Sequence, residues 1–372
     1  MVVGNFLKIN GDIEMKVSII CTNFNKGQWI GEAIESLLRQ ETTFPYEILV
    51  VDDASTDESV EIIKAYEEKF PNLITAIYHQ ENIGITKTWK SIVKKASGEY
   101  IARCDGDDYW TDVHKLQQQV ELLEGTPNSK WSNTDFDMVD NDGNVIQSNV
   151  FLNHIIPLAN TYEQMLVYKL MTMSSTWLVE RKLMLEVSGQ IDDNAVDDTF
   201  NLQLELFKRT NLSTLMQSTT VYRMNVGSDS KPTSLENFKR RLEGLQTTQK
   251  EYLAKYPDYD KDTIIKMLLD KDSSTEVDIF KRDLEVTRLS QLSTQLRELS
   301  DNQNNYIEQL KIDIDHKDLE LNNQLLQLQD NISKLVEIEG KLLKVEIKLD
   351  KMENSLRWKI PTKIINFFRR KK

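Results

Sequence analysis

The stretch YIARCDGDDYW, residues 100–110, decides the fold, because an apolar run leads there into three carboxylates within four positions. Asp105, Asp107 and Asp108 repel one another, and carboxylates at the end of a strand also lose solvation. A divalent cation would offset both costs, since Mg²⁺ and Mn²⁺ prefer oxygen ligands. Gly106 would allow the tight turn that aims the first two carboxylates at one site. On these residues alone, a solvated acidic turn is the competing interpretation.

Earlier segments repeat the same form, a β-branched apolar run that ends in a polar loop and precedes a helical pattern. Two such runs cover residues 16–21 and 47–51 and end in the loops TNFN and DDASTD. A third run at 74–78 leads into HQENIG and another helical segment. Strand, loop and helix in this repeated order predict an α/β fold with a parallel sheet between helices. Ligands of such sheets bind at the carboxyl ends of the strands, so we expect the polar loops to converge on one crevice.

Four of these motifs, in this order and spacing, resemble those of inverting glycosyltransferases of family 2. The motifs are SIICTNFN, ILVVDDASTD, NIG and ARCDGDDYW. The resemblance extends from about residue 16 to about residue 232, more than half of the chain. It implies the nucleotide-sugar-binding GT-A fold, a mostly parallel sheet flanked by helices. It also implies a nucleotide-sugar donor, UDP- or dTDP-type, and Mn²⁺ or Mg²⁺ as cofactor.

The resemblance further assigns residues to the donor site. Thr22 and Phe24 stand in the first loop, where the aromatic ring would lie near the nucleobase. Asp53 matches the acidic residue that hydrogen-bonds the base. Asp105 would lie near the ribose and the sugar, and it belongs with Asp107 to the metal site. Asp107 would bind the metal that bridges the diphosphate.

Two positions depart from the pattern of the family. Between the third and fourth motifs the family often has an arginine that holds the nucleotide, and Trp89 stands there in this chain. Lys87 and Lys90 are nearby substitutes, and we assign Lys87 to donor binding. Where the family has a histidine that contacts the diphosphate or the metal, the stretch YRMNVGS places Asn225. Its amide oxygen could bind a hard cation but cannot become charged, so Asn225 joins the expected metal site.

Transfer with inversion also needs a general base that takes the proton of the acceptor hydroxyl. The resemblance implies that this base comes from an acidic pair opening a helix well after the metal motif. Asp197 and Asp198 match that place, with Asp198 as the base. Without the resemblance, two acids at the start of a helix are more often explained by their favourable interaction with the helix dipole. The resemblance also places residues 174–176 on the acceptor side.

At 372 residues the chain is longer than one compact domain usually is. We expect an N-terminal extension at 1–14, the GT-A domain at 15–257, a helical coiled-coil stalk at 258–354 and a basic amphipathic tail at 355–372. The two cysteines do not suggest a disulfide framework or a zinc site, which favours a reducing compartment. No apolar run approaches the ~20 residues of a membrane-spanning helix, and the N-terminus is too polar for a secretory leader. These observations indicate a cytoplasmic protein.

The C-terminal part has two separate patterns. Leucines at steps of three and four, such as Leu289, Leu292, Leu296 and Leu299, predict a coiled coil and a parallel homodimer. The alternative is one long helix that folds back on the catalytic domain.

Residues 357–372 carry seven basic side chains and no acidic one, interleaved with apolar residues. This pattern favours an anionic membrane surface, here the inner face of the plasma membrane. Nucleic-acid binding is the competing use, which the net charge of −13 disfavours.

We therefore expect a metal-dependent inverting glycosyltransferase that extends a growing, lipid-linked cell-surface polysaccharide. The glycan or lipid-linked glycan would be its acceptor. A catalytically silent GT-A scaffold in a polysaccharide assembly complex is the alternative, because the histidine and the arginine of the family are replaced. A nucleotidyltransferase of similar fold is disfavoured, since its Gly-rich first loop is missing. Glycine-rich dinucleotide and P-loop motifs are also missing, which argues against dehydrogenases and P-loop enzymes.

Overall fold

A computed structural model describes residues 14–193, 195, 197–225, 233–313 and 320–353 of the chain. The chain divides into two units, Met1–Ile264 and Ile265–Lys372. The predicted basic tail at 355–372 and nearly all of the predicted N-terminal extension lie outside the described residues. Within the described part, no helix has the length and apolar character needed to cross a bilayer.

The first unit contains one mixed sheet with helices packed against it. Its strands are β1 (Val17–Asn23), β2 (Tyr46–Asp52), β3 (Ile74–Tyr78), β4 (Tyr100–Asp105), β5 (Tyr109–Trp110), β6 (Ser129–Val139), β7 (Val145–Gln147), β8 (Leu178–Glu180) and β9 (Asn211–Arg223). Its helices are α1 (Gly27–Leu38), α2 (Ser59–Lys69), α3 (Ile85–Val93), α4 (Lys115–Glu124), α5 (Tyr162–Tyr168), α6 (Arg181–Gly189), α7 (Asp198–Phe207) and α8 (Leu235–Lys255).

The strand order is β3-β2-β1-β4-β8-β6-β9-β5, and β7 pairs with β6 at the side. Strands β1 to β4 are parallel, and β6 is parallel to β9, whereas β8 runs antiparallel to β4. The fold class predicted from the sequence, a mostly parallel GT-A sheet between helices, is therefore confirmed. In register, Asn23 lies opposite Asp52 and Thr22 opposite Asp105. The loops after β1, β2 and β4 thus leave the sheet at one edge, as expected.

Strand periodicity explains how the sheet is held between its helices. Alternate residues of β1 point to opposite faces, so Val17, Ile19 and Cys21 pack in one core with α1, and Ile20 packs in another with α3. The second core also holds Trp89 and Trp131. With both faces covered by apolar side chains, the polar loops at the strand ends remain as the place where a ligand can be bound.

The C-terminal helices are α9 (Lys261–Asp313) and α10 (Glu320–Glu353). Arg297 Nε lies 3.9 Å from Glu339 Oε1, and Leu342 is buried. In one continuous helix these charged residues would be ~60 Å apart, because each residue adds ~1.5 Å. The two helices therefore lie side by side within one chain. Leu292 and Leu299 of the predicted seam are exposed, and the coiled-coil dimer stays a prediction.

Candidate active site

A cavity of about 720 Å³ opens at the edge where β1, β2 and β4 end. Eight of the nine residues assigned to the site from the sequence line it: Thr22, Phe24, Asp53, Asp105, Asp107, Asp197, Asp198 and Asn225. Lys87 is the exception, since it is exposed on α3 and is not part of the lining. Its neighbours Thr88 and Trp89 turn toward the sheet, so the helix directs Lys87 away from the cavity. The ammonium of Lys90 also points elsewhere, to Asp193 at 2.6 Å.

The Asp53 carboxylate, after β2, is held by the loop that precedes α3. Its Oδ1 lies 2.8 Å from His79 Nδ1 and accepts the Ile83 N–H at 3.1 Å. Its Oδ2 accepts the Gly84 N–H at 2.9 Å, and Gly84 has a φ of 86°, which glycine adopts without strain. Burial would raise the pKa of Asp53, but hydrogen bonds from His79 and the loop lower it below its usual value. Asp53 is therefore an ionised, oriented acceptor, and His79 is a positioning residue that the sequence did not reveal.

Arg103, on β4, is a second residue that sequence reasoning missed. It is 3% exposed, and its guanidinium carbon lies 4.8 Å from the centre of the Trp89 ring. Its Nε donates to Asp105 Oδ1 at 3.1 Å, and Thr22 Oγ1 donates to the same oxygen at 2.7 Å. A positive charge near Trp89 was expected from Lys87 or Lys90 of α3. The structure supplies it instead from Arg103 of β4. A charged residue within an apolar strand was the signal that could have identified it.

The Asp107 carboxylate forms an ion pair with a lysine side chain of the same cavity. Lys26 Nζ lies 2.5 Å from Asp107 Oδ2, and Asn225 Nδ2 donates to the same oxygen at 2.6 Å. Asn225 therefore meets Asp107 through its amide nitrogen, not through the oxygen expected to bind a metal. A Cβ on Gly106 would lie 2.9 Å from Asn23 Oδ1. Gly106 is not among the described glycines with positive φ. Glycine is needed there because the acidic loop packs closely against β1.

Asp108, the third carboxylate, connects the acidic loop to two other segments. It is 2% exposed, and its oxygens accept the Ser175 Oγ–H at 2.5 Å and the Arg223 N–H at 3.0 Å. Burial and the charges of Asp107 and Asp105 raise its pKa well above the usual value. Ser175 Oγ also accepts the Asp105 N–H at 3.1 Å. Asp108 therefore positions the loop, and Ser175 belongs to this framework rather than to the free surface of the acceptor side.

The two acids at the start of α7 have different environments. Asp197 caps the helix by accepting the Phe200 N–H at 2.9 Å, and its other oxygen pairs with Arg241 of α8. Asp198 is 5% exposed, and its Oδ2 has no hydrogen-bond partner among the described residues. That oxygen lies 3.6 Å from Arg103 Nη1. Burial raises the pKa of Asp198, and the Arg103 guanidinium opposes that rise.

These contacts connect the two halves of the site through one side chain. Arg103 meets Asp105 with one nitrogen and Asp198 with another. The strand that carries the acidic loop and the helix that carries Asp198 therefore line the same cavity. A buried acid whose pKa is raised can accept a proton near neutral pH once it is ionised. The arrangement suits a reaction in which a proton is removed from one substrate beside a site that holds another.

The fit of a divalent cation depends on Asp105 and Asp107. Within the described residues there is no group of three His, Cys, Asp or Glu that could hold a metal. Two carboxylates would therefore need further oxygen ligands from a substrate or from water. The Lys26 ammonium nevertheless shows that Asp107 stabilises a positive charge at this point. The residues fit a cation that binds together with a phosphate-bearing ligand.

Comparisons with known proteins show which sequences and folds this chain resembles. Residues 18–177 match the family model described as glycosyl transferase family 2. The chain is 42% identical over 111 residues to an uncharacterized protein of Mycobacterium tuberculosis, covering 30% of this chain and 32% of that protein. It is 34% identical over 147 residues to a poly(ribitol-phosphate) beta-glucosyltransferase of Bacillus spizizenii, covering 34% and 23%. The chain thus spans a third or less of the length of these relatives.

One solved structure with a similar fold is S. aureus TarS 1–349 in complex with UDP-GlcNAc. The two structures have a TM-score of 0.48 and 20% sequence identity. The match covers 65% of this chain and 71% of that one.

Proposed function

From the premise that residues 18–177 form a domain of glycosyl transferase family 2, we propose that this protein is an inverting glycosyltransferase. It transfers a sugar from a nucleotide-activated donor to the hydroxyl of an acceptor. The observation that carries the proposal is the double contact of Arg103 with Asp105 and Asp198. This contact joins the expected donor side and the expected general base in one cavity.

The donor is a nucleoside diphosphate sugar, of the UDP or dTDP type. Asp53, ionised and oriented, would accept an N–H of the base. Phe24 is 42% exposed at the cavity and offers a ring on which the base can stack. Asp105, held by Thr22, would lie near the ribose and the sugar. Lys87 has no part in this donor site, because it does not line the cavity.

Asp107 and Asp105 would hold a divalent cation, Mn²⁺ or Mg²⁺, together with the diphosphate. When bound, the cation neutralises the negative charge that develops on the leaving diphosphate. Asn225 would contribute by orienting Asp107, because its amide nitrogen already donates to that carboxylate. Arg103 keeps Asp105 in place from the opposite side.

Asp198 is the proposed general base, and it takes the proton of the acceptor hydroxyl as that oxygen attacks the sugar. Three features support Asp198 over Asp197. Asp198 is buried, its Oδ2 has no hydrogen-bond partner among the described residues, and Arg103 favours its ionised form. Asp197 is occupied as the cap of α7 and as the partner of Arg241. Attack on the face opposite the leaving diphosphate would invert the anomeric centre.

The acceptor is proposed to be a growing, lipid-linked polysaccharide of the cell surface. A relative that is named for glucosyl transfer to poly(ribitol-phosphate) supports a polymer as acceptor. The basic, apolar pattern of residues 357–372 supports a position on an anionic membrane, at the inner face of the plasma membrane. The leucine pattern of α9 supports a homodimer. Nucleic acid is not expected as a partner of this acidic chain.

The proposal is tested by incubating purified full-length protein with a panel of nucleotide sugars and Mn²⁺ or Mg²⁺. We expect binding of one donor and slow metal-dependent hydrolysis of it in the absence of an acceptor. NMR of a transferred product should show an inverted anomeric configuration. If no donor in the panel is bound or hydrolysed with either metal, the catalytically silent scaffold becomes the better explanation.

A further inference from the structure

The Lys26 ammonium lies against one of the two Asp107 oxygens with which a divalent cation could bind. It lies 2.5 Å from Asp107 Oδ2 in the same cavity that the nucleotide sugar would enter. The side chains of Lys26 and Asp107 are 25% and 16% exposed, so solvent screens the pair only in part. The repulsion among the clustered carboxylates is thereby reduced within the chain, by Lys26 at Asp107 and by Arg103 at Asp105.

The backbone that carries Lys26 is held in place by the start of α2. The Lys26 N–H donates to Ser59 Oγ at 3.2 Å, and the Gly27 N–H donates to Asp57 Oδ2 at 2.8 Å. A Cβ on Gly27 would lie 2.6 Å from Glu58 Cδ, so the two loops lie close together at this point. The ammonium is therefore presented from a fixed point, at the end of a flexible side chain that can rotate to another anion.

Lys26 Nζ and Asn225 Nδ2 both donate to Asp107 Oδ2, so a divalent cation can bind this oxygen only if one of the two donors moves away. An ammonium only donates hydrogen bonds, so it uses the same lone pairs that a metal ion would use. The two positive charges also repel each other at this distance. A diphosphate that enters the cavity offers Lys26 an alternative anion, with more negative charge than one carboxylate has.

We propose that Lys26 excludes the divalent cation from Asp107 until a diphosphate is bound, and then pairs with the diphosphate. This inference rests on the proposed function, because it assumes a nucleoside diphosphate ligand in this cavity. Metal and diphosphate would then bind with positive coupling, and each would raise the affinity of the other by the same factor. Lys26 is a positioning residue in the absence of donor and a binding residue in its presence.

The test measures Mn²⁺ binding to full-length protein, with free Mn²⁺ quantified by electron paramagnetic resonance. It compares the wild-type protein with Lys26→Met and Lys26→Arg, each without nucleotide and with UDP. Inorganic pyrophosphate serves as a second probe that does not depend on the base. Lys90→Met is the matched control, since Lys90 is a lysine of similar exposure that pairs with Asp193 and lines no part of the cavity.

Without nucleotide, Lys26→Met should bind Mn²⁺ about two- to fivefold more tightly than wild type, as expected for a lost, partly exposed ion pair. With Mn²⁺ present, the same variant should bind UDP and pyrophosphate more weakly. Lys26→Arg should resemble wild type, because it keeps the charge, and Lys90→Met should change neither affinity. Equal Mn²⁺ affinity of wild type and Lys26→Met without nucleotide, including no binding by either, would overturn the inference.

These readouts do not require turnover. A protein that shows the expected coupling of Mn²⁺ and UDP but transfers no sugar would keep the inference and lose the proposed function. A protein that transfers sugar while Lys26→Met leaves Mn²⁺ affinity unchanged would keep the function and lose the inference.

Discussion

Replacing Asp198 with asparagine is expected to stop the chemical step while sparing donor binding. The side chain keeps its shape but can no longer accept the proton of the acceptor hydroxyl. Loss of a general base lowers the rate by ~10²–10⁴-fold. This loss corresponds to about 3–5 kcal/mol of transition-state stabilisation, at ~1.4 kcal/mol for each factor of ten.

The expected change in stability is much smaller than this kinetic loss. At 3.6 Å from Arg103 Nη1, the Asp198 carboxylate gains about 5 kcal/mol of Coulomb attraction for an effective dielectric constant of about 20. Removing a buried carboxylate from water costs several kcal/mol, which nearly cancels that attraction. Arg103 also keeps Asp105 as a partner in the variant. We therefore expect the free energy of unfolding to change by no more than about 2 kcal/mol.

Asp197→Asn is the matched control, because it makes the same substitution one residue earlier. Asparagine caps helices about as well as aspartate does, so the Phe200 N–H keeps its acceptor. The variant loses only the charge of a partly exposed pair with Arg241, which is worth at most about 1 kcal/mol. We expect donor binding and the rate of transfer to stay close to those of the wild type.

Calorimetry with the donor and Mn²⁺ measures binding, and single-turnover transfer to the acceptor measures chemistry. Asp198→Asn should bind normally and react slowly, whereas Asp197→Asn should do both normally. The reverse pattern, with Asp197→Asn inactive and Asp198→Asn active, would show that the base was assigned to the wrong acid. Normal transfer by both variants would mean that neither acid is the base, and the proposed mechanism would fail.

Four further outcomes are expected. Because burial raises the pKa of Asp198, the acid limb of the kcat/KM–pH profile should lie above the pH range of an ordinary aspartate. Arg103 opposes that rise, so Arg103→Met should move the acid limb to still higher pH. Asp107→Asn should abolish the Mn²⁺- or Mg²⁺-dependent part of donor binding without unfolding the protein, and calorimetry with and without a chelator measures this. Burial would raise the pKa of Glu205, but hydrogen bonds from a lysine and from tyrosines lower it, so its pairing stabilises the fold above the unfolded pKa of ~4.3 and less as pH falls. Glu205→Gln should accordingly lower the free energy of unfolding by about 1–3 kcal/mol in urea at neutral pH, and by less at pH 4. Removing residues 357–372 should leave transfer in solution and the dimer intact but reduce co-sedimentation with anionic vesicles, and the binding of the full-length protein should weaken as salt rises.

The sequence by itself determined that the first strands form a parallel sheet and at which edge of it the site lies. Apolar runs that end in polar loops and precede helical patterns are local features, and they specify parallel strands whose loops meet. The four motifs also predicted the family whose model matches residues 18–177. Eight of the nine residues assigned to the site line the cavity. Most of them lie at or just after the end of a strand, where the loops of a parallel sheet meet.

Only the tertiary structure decided which charges meet. Arg103 lies in an apolar strand, and its contact with Asp198 spans 95 positions, so it forms only when α7 packs beside the end of β4. The pairing of Lys26 with Asp107 likewise joins the loops after β1 and β4, which are neighbouring strands of the sheet. Lys87 was assigned by proximity in sequence, but the rotation of α3 directs it to solvent. Periodicity encodes neighbours a few residues apart, whereas long-range ion pairs depend on how the finished elements pack.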